Sequence, residues 1–205
     1  MNADIKIEPT KENVLSFDIR RTFILGAYIK EWALPEYRVI LQNQEKNIYI
    51  EIYYFPPCDE NDPARFATVG LSNTPRITGE YTHTEWMLGL ENKLGDESID
   101  RIFSYFCDLI THNIEHINSS APPRVMSESH LSPEKWKTKA ILIDELRGES
   151  ESLETIKIGN EEVNVLWVVP ISSQESKMIL EKGIDAFDDY IEQLSYSIID
   201  PKRPD

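Results

Sequence analysis

Residues 163–172 read VNVLWVVPIS, and this stretch decides the fold. The side chains of an extended strand alternate between its two faces. One face collects four apolar residues, namely Val163, Val165, Trp167 and Val169. The opposite face is apolar as well, because Leu166 and Val168 lie on it. A strand that is apolar on both faces is covered on both sides, so the sequence predicts a central strand in a sheet between helices.

The residues after this strand predict two helices. Ser172 and Glu175 form a capping box, in which the Ser172 hydroxyl accepts from the Glu175 amide and the Glu175 carboxylate accepts from the Ser172 amide. Gly183 then ends the first helix. The second helix carries one apolar stripe, formed by Ile184, Phe187, Ile191 and Leu194. The terminal residues 200–205 are expected to fray.

The residues before this strand predict the other strands of the sheet. Gly159 and Asn160 separate two β-patterned runs, 153–158 and 161–171, and such a pair of residues indicates a hairpin. Five further strands are predicted at residues 37–41, 47–55, 66–71, 80–90 and 140–143. The polar segment 119–132 contains two prolines and is predicted to be a surface loop or a seam.

Two helices are predicted ahead of the central strand. The first spans residues 18–32 and ends before Pro35. Its apolar face is predicted to consist of Phe23, Ile24, Ala27 and Tyr28. The second spans residues 98–117 and carries a continuous apolar stripe. These elements predict an α+β fold, an α/β/α layered domain whose mixed, largely antiparallel sheet is flanked by helices. A chain of 205 residues suits one such domain, with its core at about residues 18–196.

The charge of the chain limits the partners that it can bind. Asp and Glu total 36 against 21 Lys and Arg, which gives a net charge of −15. Such a surface repels nucleic acids and anionic membranes, and it suits a basic protein partner. The alternative is that the acidity only keeps the protein soluble. The sequence shows no secretory signal and no apolar run of membrane-spanning length, so a cytoplasmic location is expected, with Cys58 and Cys107 reduced.

One motif resembles a metal-dependent hydrolase. Residues 112–116 read HNIEH, and a helix would bring the imidazoles of His112 and His116 side by side. Both histidines lie away from the apolar stripe of their helix, and no third ligand is marked in the sequence. The interpretation that these are solvated residues is therefore favoured. No catalytic residue, metal or cofactor is predicted.

A polar loop is the candidate site for a partner. Strand residues lead into the loop around residues 72–76, and a second strand leaves it. Polar and aromatic groups on a loop that is held by a rigid sheet commonly contact partners. The predicted partner-binding residues are Ser72, Asn73, Thr74, Arg76, Glu85 and Trp86. Turn chemistry alone would also place serine, asparagine and proline here, and both readings stay open.

Two stretches resemble the suppressor-of-fused (SUFU) domain family. The first is residues 65–91, with TVGLS at 68–72 and Glu85 on the next strand. The second runs from the apolar strand through Pro170, the capped helix and the start of the next helix, EKGIDAF at 181–187. The resemblance covers most of the chain from about Tyr37 onward. It implies an α/β/α layered domain without catalytic residues. Gly70, Leu71, Ser72 and Glu85 match the family pattern and could also be structural.

The resemblance also implies a function. Animal members inhibit a transcription factor by gripping a short peptide, and single-domain bacterial members are often proposed to be immunity proteins against secreted toxins, frequently nucleases. The expected function is therefore a non-catalytic module that binds and neutralises a protein, in its most concrete form a basic toxin. The alternatives are a small metal-dependent hydrolase that uses His112 and His116, and an unassigned cytoplasmic adaptor. Between residues 144 and 192, 13 acidic and 4 basic residues concentrate a net charge of −9, which would steer a basic partner.

Overall fold

The computed structural model describes residues 12–43, 48–76, 78–114 and 122–204. Within these ranges the chain forms eight strands and five α-helices. The strands are β1 Tyr37–Asn43, β2 Ile48–Phe55, β3 Ala64–Val69, β4 Thr84–Leu90, β5 Arg124–Met126, β6 Ala140–Glu145, β7 Thr155–Ile158 and β8 Glu161–Ile171. The helices are α1 Glu12–Trp32, α2 Ile99–Asn113, α3 Glu151–Glu154, α4 Ser173–Lys182 and α5 Ile184–Ile191. Short 3₁₀ turns lie at Leu71–Asn73 and Leu94–Asp96.

The strands form one mixed, mostly antiparallel sheet. Its order is β1-β2-β3-β4-β8-β6-β5, and β7 also pairs with β8. The β4–β8 pair is parallel, and the other pairs are antiparallel. In the middle of the order, β8 has β4 on one side and β6 and β7 on the other. The predicted central strand is therefore confirmed.

Two hydrophobic cores lie on opposite faces of the sheet. On one face α2 packs through Phe103 and Phe106, and β8 contributes Leu166 and Val168 to this core. On the other face lie the buried residues of α1, α3, α4 and α5, and β8 contributes Val163, Val165, Trp167 and Val169. This division is the one that the alternation of residues 163–169 predicts. The α/β/α layering is confirmed, because each face of the sheet is covered by helices.

Local signals set several element boundaries. The capping box at Ser172 is present with both of its hydrogen bonds, so α4 begins where the sequence indicates. The Ser98 hydroxyl caps α2 by accepting from the Arg101 amide. The segment 119–132 was predicted to be a surface loop or a seam, and its described part, from residue 122 onward, contains the edge strand β5. Three residues are too few for a periodic pattern to be visible, which is why this strand was missed.

The prediction for the first helix was wrong about one residue. Ile24 and Tyr28 are fully buried, but Phe23 is 50% exposed and Ala27 is half-buried. The buried ridge of α1 begins instead with Arg20, which is spaced four residues before Ile24 and is only 5% exposed. The helix also begins earlier than predicted, at Glu12. None of the helices in the described ranges has the length and apolarity needed to span a bilayer.

Residues 200–204 are held in place, so the prediction that residues 200–205 fray was wrong for these residues, and Asp205 lies outside the described ones. The Arg203 guanidinium is fully buried and donates to both carboxylate oxygens of Glu175, at 3.0 and 2.7 Å. It also donates to the carbonyls of Pro170 and Ile198. The Pro201 carbonyl in turn accepts from the backbone amide and the hydroxyl of Thr138. These bonds join positions far apart in the sequence, which explains why local composition does not indicate them.

Candidate functional site

A buried carboxylate holds the loop between β3 and β4. Glu85 is fully buried, and its oxygens accept from the backbone amides of Gly70 at 3.0 Å, Leu71 at 3.2 Å and Ser72 at 3.1 Å. They also accept from the Thr68 hydroxyl at 2.6 Å. Three successive amides that converge on one acceptor form a cradle for an anion. The side chain of Glu85 therefore fixes the position where the chain leaves β3.

The pKa of Glu85 reflects two opposing influences. Burial raises the pKa of this carboxyl above its ordinary value, because the charged form loses its contact with water. The hydrogen bonds from Thr68, Ser72 and Gly70 act in the opposite direction, since they stabilise the carboxylate. Burial is the larger influence. The carboxyl is thus used to organise the backbone, and its solvent-free position offers no access to a substrate.

Gly70 is required by the geometry of this turn. Its φ of 102° lies in the left-handed region, where residues with a Cβ are disfavoured. A Cβ at this position would lie 2.7 Å from the Phe17 ring and 2.7 Å from the Tyr49 carbonyl oxygen. The start of the loop is therefore packed between α1 and β2. This close packing explains why glycine is required at position 70 in the sequence TVGLS.

The remainder of the loop is closed by further hydrogen bonds. The Thr74 hydroxyl donates to the Gly70 carbonyl at 3.1 Å, and the Thr82 hydroxyl donates to the Leu71 carbonyl at 2.5 Å. The His83 amide donates to the Ser72 carbonyl, which joins the two ends of the loop. At the far end, the Arg76 amide donates to the Glu80 carbonyl at 2.8 Å. Residues 70–76 and 78–83, called the anchored loop below, thus form a closed structure on the end of the sheet.

The structure divides the six predicted partner-binding residues into two groups. Asn73 and Arg76 are partly exposed. The other four are buried, namely Ser72, Thr74, Glu85 and Trp86. Trp86 lies in the core that α2 covers, because its position on β4 points to that face. The four buried residues shape and support the anchored loop, and the two others lie on its surface.

Two residues on the surface of the anchored loop were missed by sequence reasoning. Tyr81 is 45% exposed, and His83 is exposed with a positive φ of 52°. Their rings meet edge to face, with centroids 6.3 Å apart. Residues 80–90 read as one strand in the sequence, which placed both residues inside a sheet. The strand begins only at Thr84, and Gly79 was the available signal that a turn continues up to that point.

Of the two histidines in the possible metal site, the structure describes one. His112 is exposed on α2, and its Nδ1 donates to the Asp108 carbonyl at 2.7 Å. His116 lies outside the described residues. Among the residues that the structure does describe, no three His, Cys, Asp or Glu side chains come together in a way that could hold a metal ion. Nothing in this arrangement directs His112 toward a reacting group.

Many of the acidic residues between positions 144 and 192 are engaged in ion pairs. Asp144 and Asp188 share Arg147, with N–O distances of 2.6 Å. Glu149 binds Arg65 at 2.6 Å and accepts from the Trp32 indole at 2.7 Å. The remaining pairs are Glu161–Arg20, Glu162–Lys157, Glu175–Arg203 and Glu181–Lys177. The local excess of charge is therefore partly neutralised within the fold.

Comparison with known proteins identifies the family. The family model for suppressor of fused protein (SUFU) matches residues 46–204. A protein of Neisseria gonorrhoeae named as a SUFU homolog superimposes with a TM-score of 0.69 at 13% identity, covering 91% of this chain and 96% of that chain.

Two further solved structures share the fold. A chain from the Sufu–Fu complex gives a TM-score of 0.59 at 14% identity, covering 91% of this chain and 86% of that one. Drosophila Suppressor of Fused gives 0.59 at 13% identity, covering 87% of this chain and 46% of the longer Drosophila chain. No curated protein sequence matches. Since the family model takes in most of its residues, the chain belongs to the suppressor of fused protein family.

Proposed function

We propose that this protein is a non-catalytic binding module that neutralises a protein partner, and that the partner is a basic toxin. The observation that carries this proposal is the anchored loop. The buried Glu85 carboxylate and the backbone bonds between the loop ends hold it in one conformation. A loop that is ordered before binding loses little conformational entropy when it meets a partner, which favours affinity.

Membership of the SUFU family supports a role in protein binding. One solved relative was crystallised as the Sufu–Fu complex, in which that protein has a protein partner. The acidic composition supports a basic partner, because opposite charges accelerate encounter. A toxin that acts on nucleic acid needs a basic surface to hold phosphates, so it would present the complementary charge.

The exposed side chains of the anchored loop are the proposed contacts. Asn73 and Arg76 supply an amide and a guanidinium, and Tyr81 supplies an amphipathic ring. Tyrosine and arginine are enriched among the residues that dominate binding energy at interfaces. Ser72, Thr74, Glu85 and Trp86 act indirectly in this proposal, because they keep the loop in place from beneath.

Co-expression tests the proposal directly. The gene that lies next to this one is expressed alone and together with this protein in a bacterial host. The expected result is that the neighbouring product stops growth when expressed alone and that this protein restores growth. A neighbour that is harmless, or whose toxicity this protein leaves unchanged, overturns the immunity role.

A loop variant locates the contact. The triple substitution Asn73→Ala, Arg76→Ala and Tyr81→Ala should abolish the protection while the protein stays folded, since all three side chains reach the surface. The matched control is Leu180→Ala, which removes an exposed side chain from α4. If the loop variant protects as well as the control does, the anchored loop is not the interface.

A further inference from the structure

The outer flank of α1 exposes apolar side chains that the fold does not use. Phe23 is 50% exposed and Ile19 is 44% exposed. They are four residues apart on one helix, so their side chains are neighbours. Burial of an aromatic and a branched aliphatic side chain is favourable, and their exposure here forgoes that stabilisation. The pair therefore has the character of a surface that a partner covers.

Contacts of α1 with β8 and α3 define the surroundings of Ile19 and Phe23. Arg20 binds Glu161 at the start of β8, and Glu31 accepts from the Ser152 hydroxyl in α3. Residues 20, 23, 27 and 31 follow one another at helical spacing, so they share one flank of α1. Phe23 thus lies on the flank that packs beside β7 and α3. Ile156 and Ile158 of β7 are buried in the same core as Ile24 and Tyr28 of α1, so the exposed apolar side chains of this flank are Ile19 and Phe23.

The rim of this surface is acidic. Glu151 and Glu154 are exposed on α3, which directly precedes β7, and Asp18 is exposed next to Ile19. The cations of α1 and β7 are already paired, namely Arg20 with Glu161, Arg21 with Glu51, Lys30 with Glu31 and Lys157 with Glu162. The carboxylates of Asp18, Glu151 and Glu154 have no ion-pair partner within the described ranges of the chain. An apolar centre with an acidic rim complements a segment that is apolar on one side and basic on the other.

We propose that this flank, formed by Ile19, Phe23 and the β7 side of α1, is a docking surface for a basic amphipathic segment of a protein partner. It rests on the proposed function for the basic character of the partner, and it adds a second surface apart from the anchored loop. Ile19 and Phe23 supply the apolar contact, and the carboxylates of α3 select the basic partner. The charge of the rim argues against a second copy of this acidic chain as the occupant.

A synthetic peptide provides the probe. It consists of leucine and lysine, with the leucines at helical spacing, and carries a fluorophore for anisotropy measurements. The matched probe has glutamate in place of every lysine. The full-length protein is expected to bind the lysine peptide and not the glutamate peptide, and the affinity for the lysine peptide is expected to fall as salt is added.

Two pairs of variants test the location. Ile19→Ser with Phe23→Ser should weaken the binding of the lysine peptide by about tenfold or more, while Leu180→Ser on α4 should leave it unchanged. Glu151→Gln with Glu154→Gln should weaken it and flatten its dependence on salt. Asp185→Asn with Asp189→Asn removes the same charge from α5 and should have the smaller effect. All of the substituted side chains are exposed, so the thermal unfolding midpoint should stay constant.

The proposal is overturned if the wild-type protein fails to bind the lysine peptide, or if it binds the glutamate peptide equally well. It is also overturned if the Ile19 and Phe23 variant binds like the Leu180 variant. None of these measurements involves a toxin. A protein that binds the peptide on α1 and yet gives no protection in co-expression would retain the docking surface and lose the immunity role.

Discussion

At the scale of single residues, Glu85 shows how one side chain can organise a candidate site. Its carboxylate occupies a place that a bound anion could take, facing the amides of residues 70–72. The sequence alone does not show whether a glutamate at this position is a structural residue or a catalytic acid. The structure does, because every polar contact of the carboxylate is a hydrogen bond to the backbone or a hydroxyl of the same small region. The hydrogen bonds of Glu85 thus assign it a structural role in holding the loop.

Removal of the Glu85 carboxylate should destabilise the protein. Glu85→Ala leaves the amides of Gly70, Leu71 and Ser72 buried without their acceptor, so the free energy of unfolding should fall by about 3 kcal/mol or more. Glu85→Gln keeps one acceptor oxygen and should have an intermediate effect. Glu80→Ala is the control, because Glu80 is exposed in the same loop. Urea unfolding measures all three, and equal stabilities for Glu85→Ala and Glu80→Ala would refute the anchoring role.

The two cysteines should differ in reactivity. Burial in α2 raises the pKa of the Cys107 thiol to about 11, and the nearby Asp108 carboxylate adds to this effect. Only on the order of one Cys107 in a thousand is then a thiolate at about pH 8, and the thiolate is the form that reacts. Cys58 is exposed in its loop. Alkylation of the folded protein followed by mass spectrometry should give one modified site, Cys58, and denaturant should expose the second.

At the scale of elements, the sequence determines what local signals can determine. The alternation of residues 163–169, the capping box at Ser172 and the Gly159–Asn160 turn each act within a few residues, and each is present in the structure. The edge strand β5 and the buried tail depend on pairing between distant segments, so no local pattern indicates them. The same limit applies to the candidate site. The position of the loop could be predicted, but the burial of Trp86 and the exposure of Tyr81 follow from where β4 begins.

The C-terminal tail should contribute to the stability of α4. The Arg203 guanidinium and the Glu175 carboxylate are a buried ion pair, and loss of one partner leaves the other charge buried and unpaired. Arg203→Ala should therefore lower the free energy of unfolding by about 3–5 kcal/mol. Ser172→Ala removes only the hydroxyl of the capping box and should cost about 0.5–2 kcal/mol. Denaturant unfolding orders the two variants, and a reversed order would show that the tail is dispensable.

The packing of Trp167 on the central strand β8 should contribute strongly to stability. Trp167 is only 7% exposed and lies in the core on the face of the sheet that α1, α3, α4 and α5 cover, as the alternation of β8 predicts. Trp167→Ala would leave a large cavity and should cost about 3–5 kcal/mol of the free energy of unfolding. Tyr81→Ala, on the exposed surface of the anchored loop, is the control and should be close to neutral. An unchanged melting temperature for Trp167→Ala would show that the packing around β8 is wrong.

At the scale of the whole molecule, the distribution of charge decides how a partner approaches. Of the 13 acidic residues between positions 144 and 192, seven form ion pairs within the fold. Those pairs contribute to structure, and their fields largely cancel at a distance. Within the described chain, the acidic residues left outside these pairs are Glu145, Glu151, Glu154, Asp185, Asp189 and Glu192. These six are the candidates for long-range steering, a smaller set than the sequence count suggests.

Electrostatic steering should therefore affect mainly the association rate, and short-range contacts should affect mainly the dissociation rate. Association of the protein with its basic partner should slow steeply as ionic strength rises, because salt screens charges that lie more than a Debye length apart, about 10 Å at 0.1 M. Neutralising Glu145, Glu151 and Glu154 together should reduce both the association rate and its salt dependence. Neutralising both members of the pairs Glu162–Lys157 and Glu181–Lys177 keeps the net charge constant and should change them far less.

The dissociation rate should respond to a different set of residues. Substitution of Asn73, Arg76 and Tyr81 in the anchored loop should accelerate dissociation and leave the salt dependence of association nearly intact, because short-range contacts act after encounter. Surface plasmon resonance at low and high salt measures both rates. An association rate that is indifferent to salt would exclude steering by the acidic residues. A dissociation rate that the loop substitutions do not alter would place the contact elsewhere, and the flank of α1 would then be the surface that remains.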